Sequence, residues 1–237
     1  MLNCSRWGDI MRNSVRFAAR WSVILLASFA LLLAARFLGV PHHAATTPIL
    51  AAELKPIDLP APQTAGGAPL MQALAQRKTT RVFANKPLPV QVLSNLLWAA
   101  FGVNRPRDVK PGLGRTAPSA RNTQDIGIDV VLPDGVYVYD AEHNQLRPVL
   151  SGDVRNTIVS APAAQAAVTI IYVAAAKDDF AQVDVGFIGQ NVYLFAASEG
   201  LNAWFYTVHA QDVAAKLGIG PDRNVLYAQS VGYPPQQ

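Results

Sequence analysis

Cysteine is almost missing: Cys4 is the only one in 237 residues. One thiol cannot build a disulfide framework, and beyond the first few residues thiolate catalysis and cysteine-ligated metals are excluded. Histidine is scarce as well. Of the four, His42 and His43 sit in a proline-rich stretch and His143 and His209 stand alone, so no pair has metal-ligand spacing on a helix. No nucleophile-elbow pattern frames any serine and the carboxylates are scattered, so neither a catalytic triad nor a carboxylate dyad can be assembled. The body of the chain also lacks a basic excess. Residues 1–40 hold Arg6, Arg12, Arg16, Arg20 and Arg36 against Asp9, which accounts for the whole formal charge of +4. A neutral remainder does not carry the electrostatic footprint of a nucleic-acid binder. Internal repeats and long low-complexity tracts are absent too.

What is present begins with the leader. From Trp21 to Ala35 the run WSVILLASFALLLAA has no charge, and Arg12, Arg16 and Arg20 precede it. A positive region followed by such a run predicts a signal peptide or an uncleaved N-terminal membrane anchor over residues 1–40. Either reading places the rest of the chain outside the cytoplasm, periplasmic or held at the inner membrane, with membrane contact only through this segment. Residues 41–67, rich in Pro, Ala and Thr, predict a tether. Residues 68–237 then form the folded domain.

Within that domain, APLMQALAQRK and LPVQVLSNLLWAAFG have helical apolar spacing, the second entered through Pro89 and ended at Gly102. IGIDVVLP and GVYVYD read as a hairpin, with Gly135 expected to supply a positive φ. QLRPVL is a further strand candidate, and AAVTIIYVAA, nearly all apolar and β-branched, a central buried strand. DVGFIGQNVYLFAASEGLN switches back to helical spacing, with Gly186 and Gly189 keeping one side slim. AWFYTV, a helix closed by Gly218, and NVLYAQSVGYP complete an α+β fold: a mostly antiparallel sheet of about four or five strands flanked by helices.

Two polar clusters stand out. RKTTRVF places Arg77, Lys78, Thr79 and Arg81 directly after a helix. Guanidinium forks and a hydroxyl suit a phosphate, although a solvated helix end needs nothing more. RTAPSARNTQ puts Ser119, Asn122 and Gln124 in a loop ahead of a strand, where amides offer donors and acceptors to a heteroaromatic edge or simply close a turn.

Taken in order along residues 58–235, RKTTRVF, LSNLLWAAFGVNR, RTAPSARNTQ, GVYVYD, DVGFIGQNVYL and VGYP resemble the FMN-dependent nitroreductase family, in particular its short branch similar to the azoline-oxidising dehydrogenases. The resemblance implies the nitroreductase-like fold and a homodimer with FMN at the subunit interface. It implies that Arg77, Lys78, Thr79 and Arg81 hold the phosphate and ribityl end. Pro118, Ser119, Ala120 and Asn122 would reach the flavin from the partner, with Gln124 nearby, and the helix over 184–200 would pack in the dimer core. A backbone N–H near Thr207 and Val208 would face the flavin N5. No catalytic side chain or metal is implied, because the flavin carries hydride equivalents between a small-molecule donor and acceptor. Tyr206 in the bulky WFYTVHA segment would narrow the pocket. Outside the cytoplasm, a quinone, an exported peptide or a small organic donor suits the compartment better than a nicotinamide. An azoline-oxidase-like dehydrogenase and a non-enzymatic dimeric scaffold that has lost flavin are the alternatives.

Overall fold

The computed structural model describes residues 53–105, 114–175 and 179–236; the leader over residues 1–40 lies outside them. Among the described residues no helix is long and apolar enough to cross a membrane.

Two prolines set the first helices. α1, Leu70–Gln76, follows Pro69, and α2, Val90–Phe101, follows Pro89. Proline fixes φ where a helix begins and gives up only an N–H that would be orphaned anyway. α2 buries Leu93, Leu96, Leu97 and Ala100. At its end Gly102 supplies room rather than an unusual φ, since a Cβ there would lie 2.5 Å from the Trp98 ring.

The main sheet has seven strands: β1 Ile57–Asp58, β4 Gly127–Leu132, β5 Gly135–Asp140, β6 Gln145–Ser151, β7 Val168–Ala175, β8 Asn202–Tyr206 and β9 Arg223–Gly232. Their order is β1-β6-β5-β4-β7-β9-β8, with every ladder antiparallel. A separate ribbon pairs β2, Val103–Arg105, with β3, Gly114–Arg115. β7 lies mid-sheet and is buried at seven of its eight positions, as its apolar run demands. The short α3, Arg155–Ile158, and α4, Ala161–Ala164, lead into β7; α5, Ala181–Ser198, and α6, Ala210–Leu217, flank β8 in sequence. One sheet face packs on α2 and α5 through Ile170, Tyr172, Ile188 and Val192. The other packs on α3 and α6 through Ile171, Val173, Val213 and Leu217. Gly218 ends α6 in the left-handed conformation, φ 67°, which glycine adopts without a Cβ penalty.

Three expectations need correcting. The folded domain does not begin near Ala68, because the end of the 41–67 tether is part of it. Ile57 and Asp58 pair with Leu146 and Gln145, Leu59 is buried, and the Gln63 N–H donates to Asn95 Oδ1 at 2.8 Å. This strap is held by backbone bonds and one buried side chain, so it has no period to read. Gly135 closes the β4–β5 hairpin without a positive φ; a Cβ would lie 2.5 Å from the Leu150 carbonyl oxygen. Close approach, not φ, selects glycine there. The glycines of α5 also differ. A Cβ on Gly189 would meet the Phe205 ring at 2.9 Å, so its slimness serves this chain's own sheet, whereas Gly186 faces open space.

Candidate functional site

α1 ends where the Arg77 N–H donates to the Ala73 carbonyl, and the chain then runs along the outer edge of β8. β8 is the last strand of the sheet, so its outer backbone groups have no ladder partner. Thr80 N–H donates to the Ala203 carbonyl at 2.9 Å, Asn202 Nδ2 to the Val82 carbonyl at 2.8 Å, and Ala84 N–H to the Tyr233 carbonyl at 2.8 Å. Phe83 is buried beside them. These bonds pin the backbone while Lys78, Thr79 and Arg81 stay exposed and Arg77 half-buried. Ion pairs among the described residues join Asp140 to His143 and Arg147, and Asp153 to Arg155. None reaches Arg77, Lys78 or Arg81. Among the described residues, therefore, no carboxylate forms an ion pair with any of these three cations.

Aromatic side chains support the cluster. The Arg77 guanidinium lies 5.4 Å from the Tyr193 ring centroid and that of Arg81 5.5 Å from the Trp204 ring. Tyr193 on α5 also bonds Thr79 Oγ1 at 2.9 Å and accepts the Phe205 N–H at 2.9 Å.

The Ala203 carbonyl and the Phe205 N–H both face the outer edge. Strand alternation puts the next outward amide at Thr207, one residue past the last paired position, Tyr206–Ala228. Thr207 and Val208 line a cleft of about 470 Å³ with Trp204, Tyr206, His209 and Asp212. Tyr206 gives the cleft a ring wall but not its hydroxyl, which meets Ser230 Oγ at 2.9 Å. Burial pushes the Tyr206 phenol up to about 12, softened by hydrogen bonds to Ser230 and Thr169. It stays protonated at any physiological pH.

The second cluster is a strained turn. Arg121, Asn122 and Gln124 have φ of 54°, 57° and 56°, a conformation non-glycine residues rarely adopt. Local bonds hold it: the Ser119 carbonyl accepts the Asn122 N–H at 3.0 Å, Ser119 Oγ accepts the Gln124 N–H at 2.9 Å, and Gln124 bonds Arg115 and Asn122 through its amide. The fully buried Asp184 of α5 accepts the Ala120 N–H with both oxygens, at 3.0 and 3.1 Å. The amides of Asn122 and Gln124, which the sequence offers to a ligand, thus bond each other. Pro118 remains exposed on the loop.

The two clusters meet α5 nine residues apart, at Asp184 and Tyr193, or about 14 Å along the helix. Among the described residues no hydrogen bond or ion pair joins one to the other, so one chain does not close them into a single site.

A nitroreductase family model matches residues 74–233, from α1 to the end of β9, and so takes in both clusters and the β8 edge. The chain belongs to the nitroreductase family. It is 31% identical over 153 residues to a candidate nitroreductase of Methanocaldococcus jannaschii, covering 56% of this chain and 75% of that relative. A solved structure of a candidate nitroreductase from Ralstonia eutropha superposes with a TM-score of 0.68 at 32% identity, covering 78% of this chain and 91% of the other. Another, from Anabaena variabilis, has a TM-score of 0.64 at 20% identity and covers 78% of this chain and 42% of the other; it shows the shared fold. As a nitroreductase-family chain, the protein is a flavin-dependent oxidoreductase.

The sequence did not single out Asp184, Tyr193 and Trp204 as site residues. Their one legible signal is polarity: Asp184 and Tyr193 interrupt the apolar spacing of α5 within DVGFIGQNVYL.

Proposed function

We propose that the protein binds FMN between two copies of the chain and passes hydride equivalents from a donor to a small organic acceptor. The observation carrying this is the run of cations on the open edge of β8 that have no carboxylate partner among the described residues. Arg77, Lys78, Thr79 and Arg81 offer charge and donors to a phosphate monoester. Four residues along that edge from Ala203, about 13 Å, the Thr207 N–H is an outward donor for the ring N5, with Val208 beside it. The residues present therefore fit FMN, with phosphate at one end and flavin ring at the other.

FMN would supply the redox chemistry, accepting and releasing a hydride. The chain binds and orients. Its cations fix the phosphate end, the edge amide holds the ring position, and Trp204 and Tyr206 wall the adjoining cleft. Tyr206, protonated and turned toward Ser230, moves no proton in the cleft.

A second copy is the natural source of the other half of the site, since the 118–124 loop of the same chain is not bonded to the cation cluster. Leu70, Met71 and Leu74 on α1 and Val183 and Phe187 on α5 are exposed on helices that pack together. Exposed apolar side chains on packed helices suit an interface, and Gly186 lets a neighbouring backbone come close. The basic leader and its uncharged run support a place of action outside the cytoplasm, where the donor is a quinone or another small organic reductant.

The test is the visible absorption spectrum of the purified protein after FMN loading and desalting, followed by anaerobic addition of candidate donors. Stoichiometric flavin bands that bleach with a donor are expected. A colourless protein that cannot be loaded would sink the reading.

A further inference from the structure

Tyr193 makes three contacts that converge on the cation cluster. Its ring lies under Arg77, its hydroxyl accepts the Phe205 N–H, and the same hydroxyl bonds Thr79 Oγ1. A backbone N–H can only donate, so the Phe205 bond takes a Tyr193 lone pair. Either hydroxyl of the Tyr193–Thr79 pair can donate; in the arrangement where Tyr193 donates, its single hydrogen meets the one acceptor it has among the described residues, Thr79 Oγ1. With that lone pair of Thr79 occupied, the Thr79 hydrogen is left to point away from the protein, toward whatever lies over the cations. The chain of bonds from the Phe205 amide through Tyr193 to Thr79 polarises in one direction and strengthens the last donor.

We infer that Tyr193 is a positioning residue of the phosphate grip and strengthens the preference for FMN over riboflavin. It orients Thr79 as a donor to an anion and carries Arg77 on its ring. This rests on the flavin reading above, but it assigns to a helix residue a role that neither cluster shows alone. A purely structural Tyr193, tying α5 to β8 through Phe205, would affect both flavins equally, because riboflavin lacks only the phosphate.

The experiment uses the full-length protein, its apo form titrated with FMN and with riboflavin by quenching of flavin fluorescence. Wild type should bind FMN at least about 100-fold more tightly than riboflavin, the scale of several charge-assisted hydrogen bonds. Tyr193→Phe keeps the ring and removes the hydroxyl; FMN affinity should fall roughly tenfold and riboflavin affinity stay within about twofold. Tyr193→Leu removes the platform under Arg77 as well, and the FMN loss should reach roughly 30-fold. Thr79→Val should cost as much as Tyr193→Phe, and the double variant little more, since both act through one hydroxyl. Riboflavin binding reports the fold throughout, and if the leucine variant unfolds the phenylalanine variant decides alone. Equal weakening of both flavins, or no change in either, overturns the role given to Tyr193. Wild type that binds neither flavin instead overturns the flavin reading, and wild type that binds both equally removes the phosphate from residues 77–81.

Discussion

The segment 77–81 and the loop 118–124 are both polar and both anchored to α5, yet they handle their polarity in opposite ways. In the first, the backbone is pinned to the β8 edge while the charges make no ion pair among the described residues. In the second, the side chains spend their hydrogen bonds on one another and the backbone is strained, held by the buried carboxylate of Asp184. On the function proposed above, the outward cluster meets a ligand. A self-satisfied, strained one is built to present a fixed shape. Damage to the first should therefore show in binding with the fold intact, and damage to the second should show in the fold itself.

The largest effect expected on this contrast comes from Asp184→Ala. It leaves the Ala120 N–H without its acceptor and releases a turn with three left-handed residues. A loss of about 3 kcal/mol is expected, seen as a fall in melting temperature of roughly 6–12 °C. If the variant melted like wild type yet lost flavin, the loop would belong to the same class as the cations and the contrast would fail.

Asp129 sharpens the comparison, because it is a buried carboxyl with no hydrogen bond or ion pair among the described residues. Burial raises its pKa to about 6, against the opposing pull of Arg223. An acid whose folded pKa lies above its unfolded value of 3.8 favours folding at low pH. That contribution is complete below about pH 4 and fades as pH rises through 6. At neutral pH the ionised form is a net cost, so Asp129→Asn should stabilise the protein by up to about 3 kcal/mol at pH 7 and by almost nothing at pH 4. Thermal melts across that range check it; a gain independent of pH would mean that the carboxylate is not the cause.

In the cation cluster, Arg77→Ala should lower FMN affinity by about 1.5–3 kcal/mol, one charge-assisted contact, while the melting temperature of the apo form moves by less than about 2 °C. Calorimetric titration alongside a melt of the same sample separates the two quantities. A shift of similar size in both would show that Arg77 is structural, through its seat on Tyr193.

The same contrast explains what could be read from the sequence. The outward cluster was legible because it depends on residue types close together in the chain: Arg77, Lys78, Thr79 and Arg81 adjoin, and charge needs no partner to be noticed. β7 and the Gly218 cap were legible for the same local reason. The inward features depend on partners far along the chain. Asp184 finds Ala120 64 residues away and Tyr193 finds Thr79 114 residues away. Nothing in the spacing of α5 says which way either side chain turns. The strap over 57–68 has no apolar period, and Gly135 is explained by a carbonyl on a neighbouring strand. Local chemistry announces an exposed charged surface, whereas the supports beneath it become visible only once the sheet edge and α5 are in place.

The smallest expected effect falls on Lys78, the exposed cation with no aromatic support, in contrast to Arg77 on Tyr193 and Arg81 on Trp204. A flexible ammonium in water contributes mainly a screened charge, worth about 0.5 kcal/mol toward a bound phosphate. Lys78→Ala should weaken FMN roughly twofold, and raising the salt to about 0.5 M should remove that difference. The Arg77→Ala deficit should survive the same salt, because a guanidinium stacked on a ring forms directional bonds that ionic strength does not screen away. Titrations of both variants at low and high salt separate the cations that are positioned from the one that is only nearby. If Lys78→Ala matched Arg77→Ala at both salts, the aromatic seats would confer no advantage, and the grip would be a simple charge patch.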